Sequence, residues 1–209
     1  MTIQIPFELQ VCDPEKPNQG PSPPCPPGII ATVVEDGVAG EQFIDLVAVP
    51  TGVHIVRACD IMAVGSTSLR SCEPLILRAD GRLITTFTPA RAGEVLSVFA
   101  VGLGPTSPAV PSGSPSPFPP ARLVLPLSVS FNFNPDASPL TQANAFGEVL
   151  FAGLAPGFVG LYQVNFKLPE EIPQGARPCG GLSPNETNMT LMIFGASGSF
   201  DATQICARR

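Results

Sequence analysis

Leu127-Ser128-Val129-Ser130-Phe131-Asn132-Phe133-Asn134 alternates apolar and polar side chains without a break. A period of two puts successive side chains on opposite faces of an extended chain, so this stretch predicts a strand with Leu127, Val129, Phe131 and Phe133 toward a core. Tyr162-Gln163-Val164-Asn165-Phe166-Lys167-Leu168 repeats the pattern. Working outward, Glu94 to Val101 reads as a buried strand, and Leu75 to Arg78 and Arg82 to Thr85 flank the hairpin signal Asp80-Gly81. Met189 to Phe194 and Phe200 to Cys206 predict a terminal hairpin around Gly195-Ala196-Ser197-Gly198. No segment holds a helical period. About seven short strands separated by turn residues predict an all-β protein, an immunoglobulin-like antiparallel β-sandwich of two sheets.

The terminal strand pair has a counterpart near the start of the chain. Ile3-Gln4-Ile5-Pro6 precedes a Pro-rich loop and then Ala31-Thr32-Val33-Val34-Glu35-Asp36-Gly37, Gly40 and Phe43. Val164-Asn165-Phe166-Lys167-Leu168-Pro169 precedes a similar loop and then Met189 to Gly195, Gly198 and Phe200. Thr32 and Gly37 fall opposite Thr190 and Gly195 at one offset, which suggests tandem modules of one fold. The second copy follows a long run of strand-like sequence, whereas the first follows only Met1 and Thr2. The expected organisation is one complete module preceded by a partial one. Residues 1–50 would be the C-terminal half of a module, with strands at Ile29 to Val34 and Gln42 to Val49. Residues 51–74 would be a connector holding a disulfide loop, and residues 75–209 the complete module. Residues 12–28, with seven prolines, and residues 105–120, mostly Pro, Ser and Gly, must lie outside any sheet interior.

Composition narrows the function. The chain has 26 Pro and 20 Gly in 209 residues, yet its hydrophobic fraction is 44% and only 13% of it is charged. Such a chain can bury a core, so the Pro and Gly read as turns and strand ends rather than as a disordered tract. A net charge of −6 and no basic stripe argue against nucleic acid, whose binding draws on clustered Lys and Arg. Apolar runs such as Val95 to Leu103 fall short of the roughly 20 residues needed to span a bilayer as a helix. The opening residues carry neither the basic region nor the apolar run of a secretory signal. The cysteines nevertheless point to an oxidising, extracellular or cell-surface setting. Cys12, Cys25, Cys59, Cys72, Cys179 and Cys206 are most simply paired as neighbours: Cys12 with Cys25, Cys59 with Cys72, and Cys179 with Cys206. Buried free thiols are the competing reading. A metal site is disfavoured, because no C-x-x-C pair exists and the single histidine, His54, lies in an apolar stretch.

Three motifs resemble a known family. They are Ala79-Asp80-Gly81-Arg82-Leu83-Ile84-Thr85; Pro89-Ala90-Arg91-Ala92-Gly93-Glu94-Val95-Leu96-Ser97-Val98 with Gly102-Leu103-Gly104-Pro105; and Val149 through Asn165, with Ala152-Gly153-Leu154-Ala155-Pro156-Gly157-Phe158 at its centre. Together they resemble the Solibacter-type uncharacterised C-terminal domain found in large exported proteins of Acidobacteria. The resemblance covers residues 75 to 207. It implies an immunoglobulin-like fold related to the IPT/TIG type, in tandem or at the end of a longer protein, and brings no established activity, cofactor or catalytic residue. Against that context the absent front of the first module has three readings: a late gene start, a fragment, or strands supplied by another molecule.

Residue chemistry points the same way. Asn132, Asn134, Asp136 and Ser138 alternate like calcium ligands, but Ala137 stands where the loop needs glycine and Ala143 where it needs glutamate. A hydrolase needs a nucleophile, a base and an orienting group, and His54 is the sole imidazole with no G-x-S-x-G elbow anywhere. Glu170-Glu171 reads as a solvated turn rather than a glycosidase pair. Asn185-Glu186-Thr187 and Asn188-Met189-Thr190 match the N-glycosylation pattern but read as a polar loop entering a strand. Trp is absent and Tyr162 is the only tyrosine, which leaves no obvious aromatic platform for sugars. The expected function is therefore a non-catalytic extracellular module with a structural, adhesive or protein-binding role, working through exposed strand edges. Two alternatives stand beside it: a filament subunit exchanging strands through the incomplete N-terminal module, and an accessory carbohydrate-binding module of a larger secreted enzyme.

Overall fold

The computed structural model describes residues 29–35, 38–44, 51–60, 72–138, 142–179 and 187–209. Two compact units divide the chain, one built on Ile5–Pro50 and the other on Thr51–Arg209.

In the smaller unit, β1 (Ile29–Glu35) and β2 (Val38–Ile44) pair antiparallel from Ile29 opposite Ile44 to Glu35 opposite Val38. That register leaves two residues between the strands, the spacing for which Asp-Gly is selected in tight hairpins. The second strand thus begins at Val38, four positions before the expected Gln42. Gly40, expected in the turn, sits inside β2 opposite Val33.

The larger unit contains β3 (His54–Ile55), β4 (Ile76–Arg78), β5 (Ala90–Arg91), β6 (Val95–Val101), β7 (Thr106–Ser107), β8 (Arg122–Leu123), β9 (Ser128–Asn132), β10 (Ala145–Leu154), β11 (Tyr162–Lys167), β12 (Met189–Phe194), β13 (Phe200–Ile205) and β14 (Ala207–Arg208). No α-helix occurs among the described residues, so none is long and apolar enough to cross a membrane. The main pairing path runs β13-β12-β9-β10-β11-β6-β3, antiparallel throughout, with β4 also on β6 and β8 on β10. Residues 51–60 and 72–74, expected in a connector, belong to this unit and give the sheet β3.

The fold is all-β and antiparallel as expected, and one strand gives it a continuous, nearly closed, barrel-like sheet. β10 pairs with β9 through Ala145–Gly147 and with β11 from Glu148 onward, with its register shifting between Val149 and Phe151. A bulge of this kind bends a strand and raises its twist, so β10 carries the sheet around a corner. The far ends, β3 and β13, then meet through a side chain, since the Ile55 N–H donates to Asp201 Oδ2 at 2.8 Å.

The core follows the periodicity. Val129, Phe131, Val164, Phe166, Leu96, Val98 and Ala100 are buried, and the rings of Phe131 and Phe166 lie 5.9 Å apart. The polar half of the Leu127–Asn134 pattern departs from expectation, because Ser130 and Asn132 are buried too. Neighbouring loops reach over that face: Asn132 Nδ2 donates to the Gln142 carbonyl, and Thr190 Oγ1 donates to the carbonyl of Asn134. Tyr162 is buried and donates its hydroxyl to the Gly104 carbonyl; desolvation raises its pKa to about 12.

The terminal hairpin forms as read, with Phe194 opposite Phe200 and a short 3-10 turn, Ala196–Gly198, between the strands. Three residues form this turn, whereas the register of β1 and β2 leaves two between them; the opening stretch of the first copy, Ile3 to Pro6, lies outside the described residues. Two disulfides join Cys59 to Cys72 and Cys179 to Cys206, with Cα separations of 5.0 and 5.6 Å. Cys12 and Cys25 lie outside the described residues.

Candidate functional site: the closing edge of the sheet

The place where the sheet nearly closes concentrates charge that the sequence spreads from His54 to Asp201. Arg57, just after β3, forks onto Asp201 of β13, with Nη2 3.0 Å from Oδ1 and 3.1 Å from Oδ2, and also donates to the Ala202 carbonyl at 2.9 Å. Both side chains are about four-fifths buried. The Asp201 carboxylate therefore serves two groups of the opposite edge, the Ile55 N–H and the Arg57 guanidinium. His54 stands at the rim, its Nε2 2.9 Å from Asp60 Oδ2 and its Nδ1 3.4 Å from Asp201 Oδ2. Partial burial alone would raise the Asp60 pKa; the Arg57 N–H, the hydrogen bond with His54 and the nearby positive charge outweigh it and lower the pKa below the usual carboxylate value.

Below this latch the edges separate into an open cleft of about 600 Å³. One wall is β13 from Ala202 to Ile205 with Cys206 just beyond it, and the other includes Pro74, Ile76, Ile84 and Thr86. Main-chain directions along β13 follow from its bonds. The Ile205 carbonyl accepts from Asn188 N on the β12 side, while the carbonyls of Ala202 and Cys206 accept from Arg57 and from Ala90 N on the other. N–H and C=O groups alternate sides along a strand, so those of Gln204 point into the cleft, and among the described residues neither has a backbone partner. The Gln204 side chain bonds Asp136 and Thr187, two residues that also line the cleft.

The other residues singled out from the sequence have structural employment. Asn132 Oδ1 accepts from Asn134 N, Asn134 Oδ1 from Asp136 N, and Asp136 Oδ1 from Gln204 Nε2 of β13, so two of these oxygens brace their own loop and the third ties it to β13. No group of three His, Cys, Asp or Glu side chains suited to a metal occurs among the described residues. Glu170 pairs with Lys167, whose pKa that contact raises, and Glu171 is exposed. Asn188 is buried, donating to the carbonyls of Ala207 and Arg177 and accepting from Ala207 N. Its carboxamide is thus a brace for the start of β14, inaccessible to a glycan in the folded chain. Asn185 lies outside the described residues. Arg57 and Asp201 escaped the sequence reading because no local pattern links positions 144 apart.

No family model, curated protein or solved structure matches the chain.

Proposed function

We propose that this chain is a non-catalytic, extracellular immunoglobulin-like module that binds a protein partner by accepting an extended segment along β13. The observation that carries the reading is the outward-pointing main chain of Gln204, beside a cleft whose far wall includes the partly exposed Pro74 and Thr85. A peptide lying there gains main-chain hydrogen bonds from the strand edge and places alternate side chains in the cleft, the physics of strand addition. The two disulfides support an oxidising, extracellular setting. The three motifs resembling the Solibacter-type domain support a module of a larger exported protein.

Selection of peptides from a random displayed library against the full chain tests this reading. Selected peptides should bind the Gln204→Ala chain as they bind the original, because the main chain is what they read. Gln204→Pro removes the outward N–H while leaving the β12 ladder intact, and should weaken them by about tenfold. Failure to enrich any peptide, or binding indifferent to Gln204→Pro, would count against the reading.

One observation favours assembly as a second reading. Among the described residues the sheet of the smaller unit has two strands only, and an isolated hairpin is marginal in water without further strands. Light scattering over a concentration series should then show growth beyond a monomer, and a monomer at every concentration would exclude it.

A further inference from the structure

A groove on the larger unit, remote in chemistry from the β13 cleft, gathers four guanidiniums and two carboxylates: Arg78, Arg82, Arg91 and Arg208 with Asp80 and Glu94. The charges are not shared evenly. Glu94 is fully engaged, one oxygen on Arg78 and the other accepting from Arg91 N at 2.8 Å. Asp80 is held by Arg82, accepting from its main-chain N at 3.1 Å and from its side chain at 2.7 Å. The side chains of Arg91 and Arg208 have no acceptor among the described residues, and both are exposed.

Their placement is costly without a ligand. β5 and β14 pair in parallel with Ala90 opposite Ala207 and Arg91 opposite Arg208. The two alanines are buried, so both arginines leave the opposite face together. Like charges directly opposite on neighbouring strands, about 4.8 Å apart, repel. One oxyanion between two guanidinium forks turns that repulsion into a pair of charge-assisted hydrogen bonds. Phe87 lines the same groove and is 77% exposed. An exposed aromatic ring beside an anion site fits a ligand with a flat or weakly apolar ring face next to its acidic group.

From this juxtaposition we infer that the groove binds a carboxylate-bearing sugar unit of an acidic oligosaccharide, with Arg91 and Arg208 on the carboxylate and Phe87 against the sugar ring. The open shape admits a unit within a chain, and the excess positive charge is local, on a protein of net charge −6. At ordinary salt, charges beyond about 10 Å are largely screened, so the local pair decides.

Calorimetric titration of the full chain with trigalacturonate, neutral maltotriose, inorganic sulfate and an oligoglutamate peptide tests the inference. Trigalacturonate should bind saturably and maltotriose should not. Arg208→Gln or Arg91→Gln should weaken trigalacturonate by about tenfold, and Phe87→Ala should weaken it by roughly threefold. Without ligand, the arginine variants should melt no lower than the original chain, since each relieves a repulsion. Absence of trigalacturonate binding, or binding that all three substitutions leave unchanged, would overturn the proposal. Sulfate binding as tightly as trigalacturonate would reduce the site to a bare oxyanion holder, and tighter oligoglutamate binding would make it a protein contact; either result overturns the sugar assignment.

Discussion

Gly102 shows how much one residue can decide. Its φ of +74° lies in the left-handed region, and a Cβ there would stand 2.1 Å from the Gly52 carbonyl oxygen. The same two residues share a hydrogen bond, Gly52 N to the Gly102 carbonyl at 2.8 Å, which seats the chain just ahead of β3 beside the end of β6. Gly81 offers the control, since its φ is +80° but a Cβ there would meet nothing within 4 Å. Gly81→Ala should cost about 1 kcal/mol for backbone strain alone. Gly102→Ala should cost about 2–4 kcal/mol, adding a displaced backbone and a lost hydrogen bond. Urea unfolding of both variants measures the difference directly, and equal costs would mean that Gly52 moves aside freely.

At the scale of elements, closure of the sheet depends on β3, whose short length leaves side chains to do what a ladder would do. Asp201 accepts from Ile55 N and from Arg57, so removing it leaves a main-chain donor and a guanidinium without their acceptor. Arg57→Ala and Asp201→Ala should each cost about 2–3 kcal/mol. The double variant should cost about 1–2 kcal/mol less than the sum, because the two changes remove one shared interaction. Strict additivity in denaturant unfolding would show that the latch is not a unit. This closure also marks the limit of what the sequence could say. The strands around Phe131 and Phe166 were legible because burial imposes a period of two on contiguous residues. β3 reads from sequence as part of a connector because two residues are too few to carry a period, and Ile55 is buried by partners far away in sequence. The turn of β10 from β9 to β11 was equally hidden, since a bulge adds a residue without altering composition. The cleft arises where β13 meets the β3 segment through side chains, and the arginine groove where β14 pairs with β5, so the sequence offers the residues but not their meeting.

For the whole molecule, the two described disulfides differ in what protects them. Cys59 and Cys72 are both exposed, and their bridge spans 13 positions. Cys206 is 2% exposed, its Sγ lies 3.8 Å from the Thr86 carbonyl, and its bridge to Cys179 spans 27 positions from the β11–β12 connection to the end of β13. By chain-entropy arithmetic the bridges contribute about 3 and about 3.5 kcal/mol, too similar to set an order of reduction. Access sets the order, because exchange needs a reductant at the sulfur. Graded reduction of the native chain, followed by alkylation and peptide mass mapping, should label Cys59 and Cys72 first and leave Cys179 and Cys206 unlabelled until denaturant is added. Opening the first bridge should lower the unfolding midpoint while the adjacent strands β12 and β13 stay paired. Labelling of Cys206 ahead of Cys72 in native buffer would show instead that the end of β13 opens readily. An edge that opens so readily could not hold Gln204 in place for a partner strand, so the same measurement bears on the proposed binding edge.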